Sequence, residues 1–178
     1  MPIFGITASS NMSTKLTDFY QIATTTVGTA TSTVEFTSIP ATYTHLQLRV
    51  SMLSSVQFGG VKVQFNSDTG TNYSWHNLYG NGTGAFSDGG ATQAQMYIYF
   101  SGGTTNPSAG VYDILDYANT NKYKTMRGIE GVDANGSGYV NLTSGNWRST
   151  SAITSIKLTY TSQTFNTNSI FSLYGVKA

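Results

Sequence analysis

The 178-residue chain has no cysteine, which excludes disulfides, cysteine-based zinc sites and thiol catalysis. Charge is almost as scarce. Charged residues make up 10% of the sequence, against roughly 25% in an average soluble protein. The balance leaves a net charge of only +1. Polyanions are held by several clustered Lys and Arg that release counterions. No such cluster occurs, so no nucleic-acid partner is expected. No run approaches the roughly 18 apolar residues of a membrane-spanning helix. Residues 1–20 also lack a basic start followed by an apolar stretch, so neither a membrane role nor a secretory leader is expected. No segment carries a sustained, capped helical stripe.

Thr, Ser, Asn and Gly fill the space that charge leaves. These residues suit turns and the solvent faces of strands and are poor helix formers. With 39% hydrophobic and 13% aromatic residues, the chain can still bury a core, and its length fits one domain. The composition therefore predicts an all-β protein with a neutral polar skin, stabilised by packing, by oligomerisation or by both.

Residues 1–18 read as an extended N-terminal arm. Ile3, Phe4 and Ile6 form a short apolar head, and the polar stretch Ala8 to Lys15 shows no lasting periodicity. Such a segment cannot bury itself alone, so it is either frayed or docked on a neighbour, and in the docked case these three residues are the expected partner-binding contacts. From Phe19 the chain reads as strand after strand through residue 178. Phe19–Val27 and Thr33–Thr37 come first. In Thr44–Leu53, Leu46, Leu48, Val50 and Met52 alternate with His45, Gln47, Arg49 and Ser51, the period of a half-buried strand. Val61, Val63 and Phe65 continue the pattern. Further strands are expected at Ala94–Phe100, Gly110–Tyr117, Tyr123–Val132, Gly138–Thr143, Ile153–Tyr160 and Ser169–Val176, each bounded by turn residues.

Asn135-Gly136 fits a hairpin tip, because type I′ turns need positive φ at both central residues. Gly80–Gly90 reads as a longer exposed loop, and Ser74–Leu78 as either a strand or one helical turn. The last strand is apolar on both faces, which suits a central position or one covered by a partner. About ten short strands at this spacing indicate an antiparallel β-sandwich or barrel.

Catalytic signals are weak. His45 and His76 stand near no nucleophile-elbow motif, and hydrogen-bonded packing is the expected role of both. Asp113 with Asp116, and Glu130 with Asp133, are three apart and face opposite sides of a strand, so neither pair can flank one bond. They read as solvated strand-end charges. Asn66-Ser67-Asp68-Thr69-Gly70-Thr71-Asn72 resembles a calcium loop in its alternating oxygens but has one carboxylate, where a good site gathers several. A glycine-containing turn is expected there, and no catalytic, cofactor or metal residue is assigned. The twelve tyrosines would fill a core or an interface, or, if exposed, stack on sugars. Core or interface packing is the favoured reading.

Three stretches resemble small jelly-roll virion proteins of tailed bacteriophages, particularly those of cyanobacteria and other aquatic bacteria. They are Phe36 to Arg49 (FTSIPATYTHLQLR), Phe65 to His76 (FNSDTGTNYSWH) and Ile170 to Lys177 (IFSLYGVK). The resemblance runs from residue 20 to 177 and is looser in the middle. It implies a jelly-roll sandwich and a non-enzymatic structural role in the virion, assembled in the host cytoplasm, where disulfides have no use. Such proteins serve as capsid cement or decoration subunits on heads and as fibre or adsorption modules on tails. The first role implies contacts with the major capsid protein and with copies of the chain, expected as a homotrimer. The second implies a surface for a host glycan. The family brings no catalytic residues to carry over.

Overall fold

The computed structural model describes residues 18–56, 59–100, 102–161 and 163–177. Among them are twelve strands and no helix: β1 (Phe19–Thr26), β2 (Thr33–Phe36), β3 (His45–Met52), β4 (Gly59–Phe65), β5 (Tyr73–Gly80), β6 (Ala85–Gln93), β7 (Met96–Phe100), β8 (Ser108–Leu115), β9 (Lys124–Asp133), β10 (Gly138–Trp147), β11 (Ile156–Tyr160) and β12 (Ile170–Val176). All pair antiparallel, in an eight-stranded sheet ordered β1-β12-β3-β8-β9-β10-β5-β6 and a four-stranded sheet ordered β2-β11-β4-β7.

The pairing has a nested logic. β1 pairs with β12, β2 with β11, β3 with β8 and β4 with β7. The chain thus doubles back on itself as one long hairpin, which rolls into two facing sheets: the jelly roll. Two further hairpins are inserted in this frame. β5–β6 follows β4 at the tip of the roll, and β9–β10 follows β8. Both add to one side of the larger sheet, which doubles from four strands to eight.

The core lies between the sheets, where alternating side chains meet. Leu46, Leu48, Val50 and Met52 of β3 point in, as their spacing predicts. Trp147 stacks on Tyr73 at 6.2 Å and meets Phe65 edge-on at 5.7 Å. Phe165 stacks on Tyr160 at 5.4 Å and meets Phe171 edge-on at 5.0 Å. The last strand takes the central place expected of it, between β1 and β3. The Arg49 guanidinium covers the outer Tyr174 ring at 4.9 Å.

Asn135 and Gly136 have φ of 59° and 91°, the left-handed pair that closes the β9–β10 hairpin as a type I′ turn would. Ser74–Leu78 resolves as part of strand β5. The exposed loop expected over Gly80–Gly90 is corrected: only residues 81–84 form a loop, and Ala85–Gln93 is strand β6. Its sequence alternates nothing apolar because almost every side chain on it faces solvent. The ladder to β5, from Gly80↔Ala85 to Tyr73↔Gln93, makes it a strand. Ile3, Phe4 and Ile6 lie outside the described residues, as does the arm up to residue 17.

Candidate functional site

The four added strands overhang β7, the edge of the smaller sheet, and a cavity of about 290 Å³ opens under the overhang. Tyr79 of β5, Glu130 of β9 and Tyr139 and Asn141 of β10 line it from the large sheet. Asp88 lines it from β6, Tyr99 from β7 and Gly59 from β4. Strand pairing explains the wall. Tyr79 stacks on Phe86 at 5.3 Å and on Tyr139 at 5.8 Å, a ladder of three rings across β6, β5 and β10. Tyr99 faces them and meets Trp75 edge-on at 6.1 Å. Its hydroxyl donates to Asp88 Oδ2 at 3.0 Å, and burial and that carboxylate hold the phenol neutral.

The inner end of the cavity is polar. Glu130 is 4% exposed and Asn141 2%. Asn141 Nδ2 donates to Glu130 Oε1 at 2.8 Å; farther along the same strands, outside the cavity lining, Thr143 Oγ1 donates to Asn77 Oδ1 at 2.7 Å. Glu130 Oε2 and Asn141 Oδ1 have no partner. Burial pushes the Glu130 carboxyl up to about 8, against the opposing pull of the Asn141 hydrogen bond and the nearby Tyr99 backbone N–H. The expectation of a solvated Glu130 is therefore corrected. Buried polar atoms without partners are rare in folded proteins, and two of them flank one cavity here.

The other expected sites resolve as structure. Asp68 Oδ1 accepts from the Gly70 N–H at 2.8 Å, and Oδ2 accepts from Asn72 Nδ2 at 2.9 Å and Trp147 Nε1 at 2.7 Å. Burial opposes its charge, but these three donors outweigh it and hold the carboxyl below its usual range. The loop thus fastens the core tryptophan. His45 Nδ1 accepts from the Asp116 N–H at 2.9 Å, and Asp116 pairs with the Lys122 ammonium. Asp113 accepts from Gln47 Nε2 at 2.9 Å. His76 and Asp133 are exposed. No cluster of three metal-ligating side chains occurs among the described residues.

No family model, curated protein or solved structure matches this chain. Its own surface supplies the next observation. On the outer face of the large sheet, Val111 of β8 pairs with Ile129 of β9, Ile129 with Leu142 of β10, and Leu142 with Leu78 of β5. These four side chains are 38–53% exposed, and Val140 beside them 54%. The row crosses four strands, about 14 Å at roughly 4.8 Å per strand. With Val140 it exposes on the order of 400 Å² of apolar surface, the range in which the largest patch on a monomer is often functional.

Of the candidate tyrosines, Tyr112, Tyr117 and Tyr160 fill the core and Tyr123 is exposed. Tyr97 packs on Trp75, and Tyr99 and Tyr139 border the cavity. The reading of the sequence took Glu130 for a solvated strand-end charge and did not single out Asn141. The available signal was an apolar residue beside each, Ile129 and Leu142, in strands whose register places those neighbours outside.

Proposed function

We propose that this chain is a non-enzymatic structural subunit of a tailed-phage virion, acting as capsid cement or decoration that associates with copies of itself on the head surface. The observation that carries the reading is the apolar row Val111–Ile129–Leu142–Leu78 on the outer face of the large sheet. The occupant we assign to it is a second copy of the chain. A net charge of +1 gives copies little mutual repulsion. A standard interface buries about 800 Å² per partner, so the row would form the apolar centre and residues such as His76, Arg127 and Ser144 the polar rim. The resemblance in the sequence supplies the virion context.

Light scattering of the purified full chain should report an oligomer, and Leu142→Asp should report a monomer with an unchanged circular dichroism spectrum. A monomeric wild-type chain at high micromolar concentration would remove the self-association. Copy counting in purified particles tests the location. Many copies per particle support the head, and absence from particles overturns the virion reading. A handful would favour the second reading, a tail-fibre or adsorption module, which the tyrosine-walled cavity supports.

A further inference from the structure

We infer that the cavity under the β5–β6 and β9–β10 overhang is a saccharide-binding site, taking one neutral pyranose unit against the Tyr79, Tyr99 and Tyr139 rings, with its hydroxyls on Glu130, Asn141 and Asp88. The inference goes beyond the assembly reading and stands on the cavity alone.

Three observations carry it. The first is volume. At about 290 Å³, the space sits at the lower end of small-ligand pockets, the scale of a single ring rather than of a polymer. The second is the composition of the wall. Tyrosine rings offer apolar C–H contacts to a sugar while their hydroxyls stay polar. Tyr79, held between Phe86 and Tyr139 in the ring ladder, lines one side together with Tyr139, and Tyr99 lines the other. The third is the mixed set of free atoms at the inner end. Glu130 Oε2 and Asn141 Oδ1 are buried and unpartnered. Burial favours the neutral carboxyl, which makes Oε2 a hydroxyl donor beside an amide oxygen that only accepts. A cation would want acceptors alone and an anion donors alone. Adjacent sugar hydroxyls, each both donor and acceptor, match one of each. Asp88 adds an exposed acceptor at the mouth.

The test is a titration of the isotope-labelled full chain, followed through its amide resonances. The probes are the methyl glycosides of glucose, galactose, mannose and N-acetylglucosamine, with tetramethylammonium as a cation. At least one glycoside should give saturable shifts centred on Gly59 and Gly131, with a Kd on the order of 1 mM. Tyr79→Ala and Glu130→Leu should each weaken that binding about tenfold or more, a loss of roughly 1.4 kcal/mol. The same spectra report whether each variant is folded. Tyr123→Ala, which removes an exposed ring outside the cavity, should leave the affinity unchanged. The inference is overturned if no glycoside moves the cavity amides, if only tetramethylammonium does, or if Tyr123→Ala abolishes the effect.

Discussion

The jelly-roll frame and the two inserted hairpins obey opposite rules. In the frame, β3 buries Leu46, Leu48, Val50 and Met52 and turns Arg49 and Ser51 outward. In the hairpins, Ile129, Leu142 and Leu78 point outward while Glu130, Asn141 and Asn77 point in. Slipping a strand by one residue would exchange its faces. The hairpins do not slip because their bases are pinned in the ordinary sense. Met126, Trp147, Tyr73 and Trp75 are buried there, and Met96 packs onto Gly145, where a Cβ would lie 2.3 Å from its sulfur. Lys124, fully buried, donates to the backbone oxygens of Asn119, Lys122 and Thr150. The base sets the register, and the outer reach inherits an inverted pattern. The self-buried apolar surface therefore lies in the frame and the hairpin bases, while the outer reach leaves Leu78, Ile129 and Leu142 exposed.

The sharpest way to break this comparison is to remove a frame side chain. Phe165 is fully buried against Tyr160 and Phe171, so Phe165→Ala should cost about 3–5 kcal/mol in urea unfolding. A loss below about 1 kcal/mol would mean that the frame does not dominate stability.

The next effect belongs to the inverted segment. The Glu130 carboxyl sits at about 8 in the fold against an ordinary 4.5. Below pH 4.5 it is neutral in both states and burial carries no charge penalty. As pH rises towards 8 the unfolded chain ionises while the fold holds its proton, so stability falls across that window, by a few kcal/mol. Glu130→Gln should flatten this part of the profile and gain on the wild type as pH rises. Parallel profiles for the two proteins from pH 4.5 to 8.5 would contradict the buried neutral acid.

These contrasts also explain what the sequence could convey. Alternation at Leu46–Met52 was legible because one face is buried by the chain itself. Asn135-Gly136 was legible because its conformation is local. β6 was not, since neither of its faces is covered and only the ladder to β5 defines it. The nested pairing left no periodic mark and entered through resemblance alone. The burial of Glu130 escaped because Ile129-Glu130 reads equally well with either face inward, and the choice was made at Met126 and Trp147.

A smaller effect is expected on the outer row. Leu142 is 51% exposed, so Leu142→Ala should change unfolding of the isolated chain by less than about 0.5 kcal/mol. Leu48→Ala, at 1% exposure, should cost about 2–5 kcal/mol. Equal costs for the two leucines would mean that the outer row is already part of the fold.

The smallest effect on stability is expected from the N-terminal arm. Among the described residues the frame is joined from Asp18 onward: β1 pairs with β12 from Phe19↔Val176, and the Lys177 N–H donates to the Asp18 carbonyl at 3.0 Å. The Arg49 guanidinium lies 5.4 Å from the centre of the Phe19 ring, over its face. Deleting residues 1–12 should therefore leave the melting of the purified protein within about 0.5 kcal/mol of the full chain. Attachment to heads should respond differently. Ile3, Phe4 and Ile6 would each contribute about 1.5–3 kcal/mol of hydrophobic transfer on a capsid neighbour before ordering costs. Occupancy on purified heads should then collapse on deletion. A truncated chain that melts early would make the arm part of the frame. One that still decorates heads at full occupancy would place the whole of the attachment on the sandwich, with the outer row as its first candidate.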